Sequence, residues 1–403
     1  FRVLKEVGSV AVFGGIAQIA ITGILCYLIA SALGFSLIAS IYIAAALIFS
    51  STVVVVKILA DKKEIDTLHG RIALGILIVQ DFVAAIALML VPLINGSGSI
   101  TPIVNSLAII IALILGIFLI SHFVFGRVLS YLARNQEVLF LFGIAWALFL
   151  ATLFDRLGFS LEIGALIAGM SLASTKYTLE LGGKIKPLRD FFVVLFFVFF
   201  GSQLGGSITA SLIGTAIILS LFVAIGKPII VMTILKVFGY KKKTNFLAGA
   251  SLGQISEFSL ILTLLGFSLG HLSREIMTLV ILIAIITISV SSYGIYYSQP
   301  LFTKISNFLF MFDSKKEKKS KYKIRNYDIV LFGYHRIGYK LLETLKEMNI
   351  PFVVVDYNPK VILALSRQKV NCIYGDAGDR EFLKDIDLEN AKLVISTIPD
   401  AES

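Results

Sequence analysis

The sequence predicts an all-α polytopic membrane protein with interrupted helices in antiparallel halves, followed by a small α/β domain. Three observations predict it. Of the 403 residues, 57% are hydrophobic and 15% charged, with a mean hydropathy of +0.90; a soluble domain averages about 45–50% apolar and about 25% charged. Ten apolar runs can be marked between Val7 and Tyr297, each near the ~20 residues with which a helix spans a bilayer. From Tyr327 onward, short β-branched runs alternate with amphipathic ones, as in a parallel sheet with covering helices.

The apolar runs lie at 7–30, 36–58, 72–94, 103–125, 137–154, 159–175, 190–206, 208–237, 245–268 and 274–297. Alternate loops are basic: Lys62, Lys63 and Arg71; Arg127 and Arg134; Lys184, Lys186 and Arg189; Lys241, Lys242 and Lys243. Loops such as Asn95-Gly96-Ser97-Gly98-Ser99 and Gly201-Ser202-Gln203 carry no charge. Basic loops stay in the cytoplasm, which places Phe1 and everything after residue 298 inside the cell, in an inner or cell membrane with lipid as the main partner. The chain opens on Phe1 with no secretory signal, so a trimmed front is expected. The formal charge of +10 sits in the membrane loops and one short segment: residues 326–403 hold 9 basic and 12 acidic side chains. That distribution argues for membrane orientation and against nucleic-acid binding. Cys26 and Cys372 are too few for a disulfide framework or metal cluster.

The expected organisation is a transmembrane unit over 1–300, a basic cytoplasmic linker over 301–326 containing Ser314-Lys315-Lys316-Glu317-Lys318-Lys319-Ser320-Lys321, and an α/β unit over 327–403. In the last, strands are expected at Ile329–Phe332, Phe352–Val355, Cys372–Tyr374 and Leu393–Ser396, with helices over 337–348 and 359–368. This is the front of a doubly wound, Rossmann-like sheet, which stops at Ser403 before it closes.

Ionisable groups within apolar runs are costly and mark function by default. Asp81 lies about ten residues into the third run, ~15 Å along a helix and so near the middle of a ~30 Å hydrocarbon core. Gln80 adds an oxygen acceptor beside it. Lys227 sits nine residues before Lys236, ~14 Å of helix, too deep to snorkel; a charge partner for broken-helix carbonyls is as good a reading as transport. Glu257 belongs to Gly253-Gln254-Ile255-Ser256-Glu257-Phe258, a polar interruption of the ninth run, and Ser50-Ser51-Thr52 interrupts the second. The loop charges send these runs in opposite directions, and matched interruptions in antiparallel halves point to a transporter site. Glu162 and Asp155 read as external entrance groups, and His69, His122 and His271 as interfacial side chains rather than metal ligands.

In the tail, Gly333-Tyr334-His335-Arg336-Ile337-Gly338 follows a strand and opens a helix. It is a G-x-G-x-x-G dinucleotide turn whose middle glycine is His335, and Asp356 ends the next strand where an acid bonds a ribose hydroxyl.

Ser50-Ser51-Thr52, Gly70-Arg71 with Gln80-Asp81, and Gly253-Gln254-Ile255-Ser256-Glu257-Phe258 resemble the monovalent cation:proton antiporter-2 family, including Kef-type potassium/proton antiporters. Gly164-Ala165-Leu166-Ile167-Ala168-Gly169 and Pro187-Leu188-Arg189-Asp190-Phe191-Phe192 fit it as well. The tail resembles the N-terminal domain of regulators of potassium conductance (RCK, TrkA-N-like), with Gly333, Gly338, Asp356 and Gly375-Asp376-Ala377 at matching positions. The resemblance implies a sodium/proton antiporter-like fold with inverted repeats and crossed discontinuous helices. Thirteen helices are usual there, so ten implies loss of the first three. It further implies that Asp81 alternately holds a proton or a K+ or Na+ ion, with Gln80, Ser51 and Thr52 as neutral neighbours or ligands. Lys227 and Glu257 would compensate charge in the crossing. Gly333, His335, Arg336, Ile337, Gly338, Asp356, Asp376 and Ala377 would form a regulatory site for NAD(H) or an adenine nucleotide, AMP or ATP. A homodimer with an elevator-like core is implied too; any cytoplasmic ancillary protein stays unidentified.

One carboxylate that cannot hold both ligands at once makes them competitors, which with alternating access gives exchange; the resemblance, in which other members carry a second acid where this chain has Gln80, implies electroneutral exchange. The alternative is a nucleotide-gated cation channel, against which stand the missing Thr-Val-Gly-Tyr-Gly filter and the two matched interruptions. A membrane oxidoreductase fits poorly, because no substrate domain, flavin motif or haem motif accompanies the dinucleotide turn. No enzyme activity is expected.

Overall fold

The computed structural model describes residues 2–398 except 66, 95–99, 158, 160, 174, 205–208, 313–326, 335, 349, 357–358, 369, 376, 378–382, 384–387 and 389–390. The loop 95–99, the basic run 314–321, His335 and Asp376 therefore lie outside the described residues.

Among its described residues, the regular structure of the membrane unit is all helical. In chain order its helices are α1 (Arg2–Ala32), α2 (Leu37–Ile48), α3 (Thr52–Asp61), α4 (Leu68–Ile94), α5 (Ile100–Phe123), α6 (Phe125–Leu132), α7 (Gln136–Arg156), α8 (Leu161–Ala173), α9 (Thr178–Ser202), α10 (Ala210–Leu221), α11 (Lys227–Val237), α12 (Lys242–Ala250), α13 (Glu257–Ser268), α14 (Arg274–Tyr296) and α15 (Ser298–Ile305). Among the described residues, six stretches are long and apolar enough to cross a bilayer: Gly8–Ala32, Leu37–Asp61, Leu68–Leu88, Gln136–Arg156, Ala210–Val237 and Arg274–Tyr296. Ala112–Ser121 and Phe125–Leu132, bent by 52°, make a seventh if they form one span.

Helix starts follow side-chain chemistry. Ser36, Ser51, Thr209 and Ser273 each accept a hydrogen bond from a backbone N–H in the first turn of α2, α3, α10 and α14, the groups a helix start leaves unpaired. Helix α9 differs from the sequence expectation: it begins at Thr178, well before 190, so Lys184, Lys186, Pro187 and Arg189 are helical rather than loop. Hydropathy marks only the apolar part of a helix, whereas the backbone hydrogen-bond ladder runs on into polar sequence.

Two buried apolar clusters bracket the interruptions. One contains Ile43, Leu47, Leu219, Val223, Ile255, Leu279 and Ile283; the other contains Val55, Leu59, Ile72, Leu77, Val231, Leu235 and Leu252. The segments from Leu47 to Val55, from Val223 to Val231 and from Leu252 to Ile255 each pass from one cluster to the other. Their polar residues are thus enclosed between apolar layers. Helix α1 packs on α2, α4 and α11, and α13 on α2, α4 and α14, which closes the sides.

The tail forms a parallel sheet of β1 (Ile329–Phe332), β2 (Phe352–Asp356), β3 (Cys372–Tyr374) and β4 (Leu393–Ser396), in the order β3-β2-β1-β4. Ile329 pairs with Phe352 on one side and Leu393 on the other. Helices α16 (Arg336–Glu347) and α17 (Pro359–Arg367) follow β1 and β2. Strand order reverses at β1, so the mouth beyond its carboxyl end is the natural ligand crevice.

Candidate functional site

Both interruptions read from the sequence are breaks in the backbone: residues 49–51 separate α2 from α3, and 251–256 separate α12 from α13. A break frees carbonyls at one helix end and N–H groups at the other, and inside a membrane each needs a partner from the protein. Buried side chains supply them. Lys227 Nζ donates to the carbonyls of Leu47 at 3.2 Å, Phe49 at 2.9 Å and Gln254 at 3.0 Å. One ammonium therefore uses all three protons on the carboxyl ends of two broken helices, where the helix dipoles favour a cation. Ser50 Oγ donates to Leu252 O at 3.0 Å and stitches the two breaks together. Gln254 is held in turn by Ser291 Oγ, 2.5 Å from its Oε1, and Ile255 N donates to Thr287 Oγ1 at 3.3 Å.

A third irregularity places Lys227. Residues Phe222–Gly226 form a π-helical turn between α10 and α11. Pro228, in the first turn of α11, has no N–H to give to the preceding turn and its ring crowds the carbonyl there. Beyond this turn α11 lies so close to α12 that a Cβ on Gly249 would be 2.9 Å from Pro228 O.

The acids sit at the opposite helix ends. Thr52 Oγ1 donates to Asp81 Oδ2 at 2.9 Å, joining the first residue of α3 to α4. Glu257, the first residue of α13, takes a hydrogen bond from Ser256 Oγ at 3.3 Å, with Ser51 close by. Both carboxyls thus face amino ends of half-helices, where the dipole favours negative charge. Gln80 is fully buried and Asp81 partly so. Asp81, Gln80, Ser51, Thr52, Lys227 and Glu257 are accordingly brought to one crossing. Glu64, Lys62 and His69 cluster instead at the turn between α3 and α4, with ion-pair distances of 3.1 and 3.2 Å. Asp155 is exposed at the end of α7. His271 Nδ1 lies 2.7 Å from Tyr42 Oη. No group of three or more metal-binding side chains occurs among the described residues.

In the tail, Gly333 follows β1 with φ of 86°, a left-handed conformation that suits glycine. Gly338, in the first turn of α16, is packed so that any Cβ would collide with Gly333 O. A turn this tight feeding a helix amino end suits a phosphate. Both glycines are required by the backbone alone, however, so they support the fold more strongly than the ligand. Asp356 Oδ2 accepts from Tyr334 N at 2.8 Å, and the residue is only 2% exposed; part of its carboxylate holds the turn. Ile337 is exposed, and Ala377 is partly buried against the sheet.

The profile of the family described as sodium/hydrogen exchanger, transmembrane, matches residues 1–296. The chain belongs to this family. Residues 329–403 match the TrkA-N domain. The chain is 30% identical over 421 residues to YbaL of Escherichia coli strain K12, named as a cation/proton antiporter, covering 98% of this chain and 74% of that one. It is 33% identical over 270 residues to K+ efflux antiporter 4 of Arabidopsis thaliana, covering 64% and 45%. Identity to the chloroplastic K+ efflux antiporter 1 of that plant is 27% over 397 residues, covering 93% and 32%. The chain thus spans about three quarters of the bacterial relative and less than half of the two plant ones. The family is one of transporters rather than enzymes, and the relatives' names favour an antiporter over the channel alternative.

Sequence reasoning missed several parts of the crossing. Gln18, Thr287 and Ser291 are buried and hydrogen-bonded within it, and the π-helical turn before Lys227 was not anticipated. Gln18 left a signal, a lone amide in the first apolar run. Thr287 and Ser291 did not, because hydroxyls in a membrane helix usually bond their own backbone.

Proposed function

We propose that the chain is a secondary transporter that exchanges a monovalent cation for a proton at Asp81. The observation carrying this reading is a single acid in the middle of α4, bonded to the first residue of a broken helix and beside a crossing whose helix ends are otherwise neutralised by Lys227 and Glu257. Protonation and cation binding exclude one another at one carboxylate, so each releases the other, and alternating access turns that competition into exchange. Thr52 and Ser51 supply neutral oxygens near the ion. Gln80 adds no charge, which supports one-for-one, electroneutral exchange. Lys227 and Glu257 stay in place as fixed charges. K+ is the first candidate, because two plant relatives are named K+ efflux antiporters; Na+ is the competitor.

The tail is proposed to bind NAD(H) or an adenine nucleotide at the turn of Gly333 to Gly338 and to regulate exchange through the 301–326 linker. The alternating basic loops support a cytoplasmic tail in an inner-membrane protein. A homodimer with a moving core follows the family resemblance.

The test is proton flux in proteoliposomes with the membrane potential clamped at zero. An imposed K+ gradient should drive protons against their own gradient, and repeating it with Na+ ranks the two ions. Proton movement that only ever runs downhill would reject exchange in favour of conduction.

A further inference from the structure

The carbonyls of Leu47 and Phe49 belong to Lys227, but Ile48 O and Ser50 N lie between and beside them and need partners of their own. Two side-chain amides provide them. Ser50 N donates to Gln80 Oε1 at 2.8 Å, Gln80 Nε2 donates to Gln18 Oε1 at 2.5 Å, and Gln18 Nε2 donates to Ile48 O at 3.4 Å and to Thr22 Oγ1 at 3.0 Å. Gln18, Gln80, Ser50 and Thr22 are all fully buried. The chain of bonds leaves the backbone at Ser50, crosses α4 and α1, and returns to the backbone two residues earlier. Its direction is fixed, because a backbone N–H can only donate and a carbonyl can only accept. Neither amide can turn over without setting oxygen against oxygen at one end and leaving an N–H unpaired at the other.

We propose that Gln18 is a positioning residue for exchange. Through Gln80 it holds the break so that Ser50 meets residue 80 while Thr52 meets Asp81, two consecutive residues of α4 bound to alternate residues of the broken strand of chain. The register of the break against α4 is thereby set from α1, a helix with no charged group at the crossing among the described residues. This rests on the exchange reading for its consequence, but not for the bonds themselves.

Two variants test it, the first with a readout that needs no transport. Gln18→Met keeps the length and removes both the donor and the acceptor. Gln18→Glu can replace the amide only when protonated, its O–H donating to Ile48 O and its carbonyl oxygen accepting from Gln80; when ionised it presents oxygen to oxygen. In the full-length protein in detergent, backbone hydrogen exchange around Ser50 should accelerate at least about tenfold in Gln18→Met, the worth of one hydrogen bond, with residues 257–268 unchanged. Unchanged exchange around Ser50 would overturn the relay whether or not the protein transports. In proteoliposomes, the rate of Gln18→Glu relative to wild type should fall roughly tenfold from acid to alkaline pH, while the Gln18→Met ratio is low and flat. A Gln18→Glu ratio that is flat, at any level, would overturn the positioning role. A wild type that does not exchange would reject the transport reading alone, and the hydrogen-exchange arm would still decide the relay.

Discussion

Lys227 is surrounded by the carbonyl oxygens of three residues at the two breaks, which makes it a structural cation in the first instance. Replacing it with Met removes three donors at once. An unsatisfied buried carbonyl costs about 1–3 kcal/mol, so Lys227→Met should lose roughly 3 kcal/mol or more, read as a lower midpoint of thermal aggregation in detergent. A midpoint equal to wild type would show that the carbonyls find other partners. Glu64 offers a test outside the membrane. Burial pushes its carboxyl up, but the hydrogen bond and charge of His69 together with Lys62 outweigh that, and its pKa lies below the ordinary carboxylate value. A group depressed on folding stabilises the protein above the ordinary carboxylate range and loses that contribution as pH falls through its folded pKa. Glu64→Gln should therefore lower the thermal midpoint at neutral pH, and the difference from wild type should close in acid. A difference independent of pH would assign the loss to packing.

At the level of elements, the crossing exists because α2 stops at Ile48 and α12 at Ala250 while apolar sequence continues on either side. Both stops were legible. Ser50-Ser51-Thr52 and Gly253 to Phe258 are polar where lipid or core is expected, and Ser51 and Ser256 go on to cap the next half-helix. The π-helical turn was not legible, because a proline after a lysine in an apolar run reads equally well as a simple kink. Beyond it α11 lies close to α12, an approach that Gly249 permits. Gly249→Val should force the two helices apart and cost about 1–3 kcal/mol, seen as a lower thermal midpoint, and it should depress exchange because Lys227 lies one residue before Pro228. A variant with wild-type stability and rate would mean that α11 is not held by this contact. The start of α9 was misplaced for the opposite reason, since the backbone ladder there extends through charged sequence that hydropathy excludes.

For the whole molecule, charge alternation and ten apolar runs gave the class, and the sheet strands were placed within a residue or so because each is a short, continuous apolar run, buried in β1 and β2 and more exposed in β4 at the sheet edge. The ligand of the tail was not legible, since its glycines are demanded by the turn itself. Titration of the purified protein with NADH, AMP and ATP by calorimetry separates the candidates: saturable binding lost in Asp356→Ala without loss of the folded tail supports a nucleotide site, and no binding of any of the three rejects it. The most direct measurement concerns Asp81. Wild-type and Asp81→Asn protein, matched for insertion and for elution as a single species, are compared for K+-driven proton flux in vesicles. The expected result is flux in Asp81→Asn no greater than in empty vesicles, with Thr52→Val weakened but active; cation-driven proton movement at the wild-type rate without the carboxylate would contradict exchange at this site.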